Sequence, residues 1–386
     1  MLEGIHTFSK QDTLVWGQPA AHAIRAHMAA KGLRRAVLLT SPSMAQTQYW
    51  QALLAELGGL VVGSFTECAA HSPRASVLQG AAVAKAQGAD VLIAVGGGSV
   101  IDAVKLMLDC LWLDLSSHEG LDALRAGAHS AALQAEQRLR MIAVPTTLSA
   151  AEFTPLAGIT DTRTATKELF EHPLYVPALV VLDPLATQET PAWLMASTGI
   201  RSVDHCVETL CSARPSPYAD AMAQHGLQLL VQGLRAMQAA PNDVNARLHC
   251  QLGTWLAISG PVSGVPIGAS HVIGRVLGGA FGVPHGQTSC VLLPGVLRWN
   301  ASVSAAAQQR VSAAMGAPQR PAADLVLELV RSLQQPSTLR ELGIEKSQFP
   351  LIAEKSLQMF KHPGSAGNPR PVQSQQDIFE ILESVY

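Results

Sequence analysis

Charge is scarce in this chain of 386 residues: 15% of positions are Asp, Glu, Lys or Arg, and the formal net charge is −2. No basic block stands out, and aromatic residues make up 5%. A nucleic-acid partner is therefore not expected, because both the phosphate-neutralising patch and the base-stacking platform are missing. Long apolar runs are missing too. Stretches such as VLIAV (Val91–Val95) are strand-length, far short of the roughly 20 residues that cross a bilayer. The opening MLEGIHTFSKQDTLVWG holds no apolar signal core, so a soluble, cytoplasmic protein is expected. None of the cysteines (Cys68, Cys110, Cys206, Cys211, Cys250, Cys290) falls in a C-x-x-C pair. They read as buried, reduced thiols in a reducing compartment. The G-x-G-x-x-G dinucleotide fingerprint is also absent.

Apolar material is plentiful. At 48% hydrophobic residues the chain can bury a large core, and its length favours two domains. The first half alternates helical and strand patterns: AAHAIRAHMAAKGL, RRAVLLTSPS, AQTQYWQALLAELG, LVVGSF, RASVLQGAAVAKAQG, ADVLIAVGGGSVIDAVKLMLDC, RMIAVPTTLS and ALVVLDP. Such alternation predicts a parallel sheet covered on both faces. From about Pro191 onward the periodicity is helical, with almost no strand runs. The expected organisation is an α/β domain over residues 1–188 and an all-α domain over residues 189–386.

Four segments carry chemistry. VLIAVGGGSVIDAVK places Gly96, Gly97 and Gly98 after a strand and Ser99 at a helix start. Glycines allow positive φ and close approach of a ligand, and the N–H groups of a helix start suit a pyrophosphate. The same turn could equally be a ligand-free strand–helix connection; Asp102 and Lys105, further along the helix, favour a site. AVPTTLSAAEFTP offers Thr146, Thr147 and Ser149 at a strand's C-terminal end, where open α/β sheets bind ligands, although these hydroxyls could simply cap a helix. GASHVIGRVLGGAFGVPHGQTSC holds His271 and His285. STGIRSVDHCVETLCS places Arg201 four residues before His205, on one helix face. Any single histidine is usually a core residue. Three in apolar, glycine-rich contexts point to a site, since neutral imidazoles bind zinc and iron. The other ten, His22, His27 and His225 among them, sit in ordinary helix or loop contexts.

Together GGGSVIDAVK, VPTTLSAAEFTP, STGIRSVDHCVE and HVIGRVLGGAFGVPHG resemble, in order and spacing, the iron-containing alcohol dehydrogenases, a family that includes the maleylacetate reductases. The resemblance runs through nearly the whole chain. It implies a dehydroquinate synthase-like architecture: an N-terminal dinucleotide-binding α/β domain, a helical C-terminal catalytic domain, and coenzyme and substrate in a cleft between them. By resemblance Gly96, Gly97, Gly98 and Ser99 hold the pyrophosphate of NAD(H) or NADP(H), and Asp102 lies near the nicotinamide. Thr146, Thr147 and Ser149 line the adenosine and phosphate side, and Lys167 reaches a ribose. The family's divalent metal, iron or zinc, is held by one aspartate and three histidines. His205, His271 and His285 match the histidines; Arg201 stands where the aspartate is expected.

A second departure is Arg275, where many members carry a histidine four residues after the ligand matching His271. Maleylacetate reductases depart at the aspartate as well and work without metal. They also share the PTT segment and a late NPRP, here Asn368–Pro371. An arginine repels a divalent ion and has no lone pair to give it. It can instead bind a carboxylate or stabilise an oxyanion. Arg201, Arg275 and, further along, Arg370 therefore point to a carboxylate substrate, with His205, His271 and His285 donating hydrogen bonds or a proton. The structural alternative for Arg201 is a salt bridge to Asp204 or Glu208. The second-strand region LLTSPSMAQ carries no acid, and Ser41 and Ser43 do not repel a 2′-phosphate, so NADPH as well as NADH is expected to serve.

The leading reading is a nicotinamide-dependent, maleylacetate reductase-like oxidoreductase of aromatic catabolism, a homodimer acting on a small oxo-carboxylate without metal. Its rivals are an iron- or zinc-dependent alcohol or aldehyde dehydrogenase and a catalytically inactive nucleotide-binding protein.

Overall fold

The buried apolar runs of the first half assemble side by side. The structure is a computed structural model that describes residue 6, residues 8–124 and residues 139–386; the opening stretch read for a signal core lies partly outside the described residues. It divides into two compact units, one spanning Ser9–Thr190 and the other Pro191–Tyr386 together with Phe8.

In the first unit, six strands form one parallel sheet: β1 (Thr13–Trp16), β2 (Ala36–Leu39), β3 (Val61–Phe65), β4 (Val91–Gly96), β5 (Arg140–Pro145) and, after an intervening hairpin, β8 (Leu179–Leu182). Their order is β1-β8-β5-β4-β2-β3. β2 and β4 are buried along their whole length, as strands covered on both faces must be. The long helices of this unit are α1 (Ala20–Lys31), α2 (Gln48–Leu57), α3 (Arg74–Ala86) and α4 (Gly98–Trp112). One core joins Ile24 and Met28 of α1 and Leu53 and Leu57 of α2 to Leu38, Ile93, Val144 and Val181 of the sheet. The hairpin is antiparallel, β6 (Leu156–Asp161) with β7 (Thr166–Glu171). It and β1 are absent from the sequence reading. Yet LAGITD and TKELFE bury alternate residues, which is the two-residue period of a half-exposed strand.

The second unit is helical, as its periodicity requires. Its long helices are α5 (Ala192–Leu210), α6 (Pro217–Ala239), α7 (Val244–Ala257), α8 (Ala269–Phe281), α9 (His285–Ala314), α10 (Ala322–Ser332), α11 (Phe349–Phe360) and α12 (Gln375–Ser384). Every residue of α5 from Met195 to Leu210 is buried, so this helix is central, and its polar residues must find partners inside the protein. Among the described residues no helix is long and apolar enough to cross a membrane.

Candidate active site

The glycine turn follows β4. Gly96 pairs with Pro145 across the β4–β5 ladder, so the turn and the Thr146–Ser149 segment leave the sheet as neighbours. A Cβ on Gly97 would sit 2.8 Å from Thr147 Cγ2, and one on Gly98 3.1 Å from Ser149 Oγ. The glycines are thus needed for close approach of the two segments. Positive φ, the other reason for glycine, is not used: none of Gly96, Gly97 and Gly98 lies in the left-handed region. Ser99 Oγ accepts the His71 N–H at 3.1 Å, and the Thr147 hydroxyl donates to Ser149 Oγ at 3.2 Å.

Asp102 and Lys105 tie the hairpin to α4. The Gly158 N–H donates to Asp102 Oδ2 at 3.0 Å. Lys105, fully buried, donates from Nζ to the carbonyls of Ala151 and Leu156, each at 2.6 Å. Burial pushes the Asp102 pKa up and the Lys105 pKa down, each opposed by the other's charge. Lys105 is therefore a structural residue. Lys167 stands over Gly158, close enough for its charge to favour the Asp102 carboxylate. Ser41, within the no-acid segment, caps the short helix Pro42–Ala45 through the Met44 N–H.

In the helical unit, α5, α8 and α9 converge. Gly286 makes this possible: a Cβ there would lie 2.6 Å from the Ser197 carbonyl, so any larger residue would separate α9 from α5. Arg201 and His205 on α5 and His271 on α8 are buried, whereas Arg275 and His285 are exposed. The His205 and His271 rings stack with centroids 4.7 Å apart.

Arg201 contacts His285. Its Nη2 lies 2.9 Å from His285 Nε2, and its Nη1 donates to Ser289 Oγ at 3.0 Å. A guanidinium has no acceptor, so Nε2 must supply the lone pair and the His285 proton sits on Nδ1. His271 holds its proton on the same atom for a different reason: Nδ1 donates to Glu208 Oε2 at 2.8 Å. The Nε2 of His271 and the Nδ1 of His205 are buried with no hydrogen-bond partner. Burial, reinforced by the Arg201 charge, lowers His271 to about 3; burial first, then the neighbouring His271 imidazole and the Arg201 guanidinium, which both disfavour a second positive charge, hold His205 well below its ordinary value. Both are neutral at pH 7. With its Nδ1 proton directed at Glu208, His271 then offers a lone pair at Nε2. Burial lowers Arg201 to about 10, opposed by Asp204 and assisted by Arg275, so it remains a cation.

The carboxylates behind these groups form the part of the site that the sequence reading underused. Glu208 accepts the N–H groups of Gly268 (2.7 Å) and Ser270 (2.8 Å) at the start of α8. Asp204 Oδ2 accepts the hydroxyls of Ser270 (2.7 Å) and Ser289 (2.6 Å). The salt bridge that is the structural alternative for Arg201 is a long contact, 4.0 Å to Asp204. Burial raises Glu208 to about 7. Arg201, Asp204, His205 and Glu208 follow i, i+3, i+4, i+7 spacing, so their shared face was legible in the sequence. Ser270 and Ser289 carried no such signal. Arg370 is engaged away from this cluster: it stacks on Trp299 at 3.9 Å and donates to the Trp299 carbonyl. Asn368 of the NPRP segment accepts the Ala269 N–H at 3.2 Å, which anchors α8.

Two family models match the chain: iron-containing alcohol dehydrogenase over residues 12–184, and the C-terminal part of the Fe-containing alcohol dehydrogenase family over residues 195–386. The chain belongs to the iron-containing alcohol dehydrogenase family. Maleylacetate reductase 2 of Cupriavidus pinatubonensis is 30% identical over 97% of this chain and 94% of that protein. The maleylacetate reductase of Sphingobium indicum is 32% identical over 90% and 88% respectively. Among solved structures, maleylacetate reductase from Rhizobium sp. strain MTP-10005 superposes with a TM-score of 0.82 at 25% identity, covering 100% of this chain and 99% of that one. This member of the family is thus a nicotinamide-dependent oxidoreductase similar to the maleylacetate reductases.

Proposed function

We propose that the protein transfers hydride from reduced nicotinamide coenzyme to a small, unsaturated oxo-carboxylate of the maleylacetate type, with the Arg201 guanidinium standing where family members hold a divalent metal. The observation that carries this reading is the 2.9 Å contact between Arg201 Nη2 and His285 Nε2. A metal at that position would need the same Nε2 lone pair, and Arg201 offers none. The donor set therefore does not fit the four-ligand ion. Asp204, Glu208 and His271 converge as a second buried trio. Asp204 Oδ2 and both Glu208 oxygens already accept O–H and N–H groups, Asp204 Oδ1 is buried with no partner, and His271 directs a proton, not a lone pair, toward the trio.

The guanidinium keeps the positive charge at this point in another form. A carboxylate is a stronger acceptor than a neutral imidazole, so a substrate carboxylate displaces His285 from Nη2. His285 then donates from Nδ1, while the fixed cation stabilises negative charge developing on the oxo group. The coenzyme supplies the hydride. Gly96, Gly97, Gly98 and Ser99, at the start of the fifteen-residue helix α4, would hold its pyrophosphate against the helix N-terminus. Thr146, Thr147 and Ser149 border the same turn, Asp102 lies further along α4, and Lys167 on β7 stands beside it. With Ser41 and Ser43 after β2 and no acid there, both NADH and NADPH are accommodated. A homodimer in a reducing compartment is part of the proposal; the free, buried state of all six cysteines supports the compartment.

The test is elemental analysis of protein purified without chelators, with activity followed on oxo-acids. Activity without stoichiometric iron or zinc is expected. One tightly held ion per chain, with activity lost on stripping, would overturn the metal-free reading.

A further inference from the structure

The Arg201 guanidinium is held from behind by a pair of residues that belong to neither the expected ligand set nor the glycine turn. We propose that Asp204 and Ser289 form a socket that positions Arg201: Asp204 supplies the counter-charge and Ser289 the direction. The proposal rests on the reading of Arg201 given above and deepens it.

Ser289 has one hydroxyl proton, and it goes to Asp204 Oδ2 at 2.6 Å. What remains for Arg201 is a lone pair, met by the Nη1 N–H at 3.0 Å. The serine therefore acts as a spacer. Nη1 lies 4.0 Å from Asp204 Oδ2, too far for a direct hydrogen bond and close enough for the charges to act. A direct two-pronged pairing would consume the fork of the guanidinium on the carboxylate. The spacer anchors Nη1 alone and leaves Nη2 pointing at His285. Ser270 fixes the carboxylate from the other side, donating to the same Oδ2 at 2.7 Å. Asp204 and Ser289 are both fully buried, so neither can adjust by turning to water. Burial pushes the Asp204 pKa up, opposed by His271, whose Nδ1 lies 3.4 Å from Oδ2, by Arg201 and by the Ser289 hydroxyl. Of these Arg201, one turn away on the same helix, is the fixed cation. The arginine at 201 and the acid at 204 are thus one device.

A purely structural role, tying α8 and α9 to α5 through Ser270 and Ser289, makes a different forecast, so the readout must be specific to Arg201. Ser289→Ala in the full-length enzyme should raise KM for an oxo-carboxylate roughly ten-fold, the loss of one hydrogen bond to a charged group. KM for the coenzyme and for a neutral aldehyde should stay unchanged. In an Arg201→Ala background the same substitution should add nothing. Asp204→Asn keeps an acceptor for both hydroxyls, removes the charge, and should give the same pattern. An unchanged acid KM, an equal rise for acid and aldehyde, or a further loss after Arg201→Ala would overturn the socket. If Arg201→Ala itself treats acids and aldehydes alike, the carboxylate reading fails. The socket is then decided by a crystal structure of Ser289→Ala. A guanidinium displaced from His285 upholds it, and one still hydrogen-bonded to Nε2 refutes it.

Discussion

Arg201→Ala separates charge recognition from general damage to the site. The wild-type guanidinium is buried, holds its charge at neutral pH and lies within reach of one exposed imidazole. A substrate carboxylate that replaces that imidazole gains a charge-assisted hydrogen bond in a poorly hydrated setting, worth about 1.5–3 kcal/mol. At 1.4 kcal/mol per ten-fold, the alanine variant should lose about ten- to hundred-fold in kcat/KM for oxo-acids. A neutral aldehyde of similar size makes no such bond and should lose only what the oxo group owes to the nearby cation. The assay is steady-state oxidation of reduced coenzyme across paired acid and aldehyde substrates, with coenzyme KM as the control. Guanidinium ion added to the medium should restore part of the acid activity. Equal losses for acid and aldehyde would refute the carboxylate role.

Arg201→Asp returns a ligand to the expected position and frees His285 Nε2; iron or zinc should then bind measurably by elemental analysis or calorimetry, and failure to bind any would mean that His205, His271 and His285 are no longer placed as ligands. In the other unit, Asp109 is fully buried, accepts the Tyr175 hydroxyl, and has its pKa pushed up to about 7 by burial. Because the folded state holds this proton more tightly than the unfolded chain does, stability falls as pH rises from about 4 to about 7 and is flat above. The ceiling is about 4 kcal/mol, from roughly three pKa units at 1.36 kcal/mol each. Asp109→Asn should therefore gain in Tm relative to wild type between pH 5 and pH 8, and parallel Tm–pH curves would count against it.

Much of the molecule could be read in one dimension. Buried runs such as VLIAV have a single stable solution when flanked by helical periodicity, namely a parallel strand covered on both faces. The change of period near Pro191 separates the two kinds of packing, and the four ordered motifs carry the family. The hairpin β6–β7 was also legible, because its alternation is plain, but two short half-exposed strands are a weak local signal. Spacing on α5 put Arg201, Asp204, His205 and Glu208 on one face, which is as far as periodicity reaches.

What each of those side chains does was decided only in three dimensions. Whether Arg201 pairs with Asp204 or reaches past it depends on Ser289, a residue 88 positions away whose hydroxyl direction no local pattern encodes. Which nitrogen of His271 carries the proton depends on Glu208, and which of His285 on Arg201. Arg370, grouped with the other arginines by charge alone, was drawn off by Trp299. Composition and period follow from each residue's own preference for water or for a neighbour one turn away, and so survive in sequence. A hydrogen bond's partner is fixed by distance and direction between separate helices, and those exist only once α5, α8 and α9 have packed.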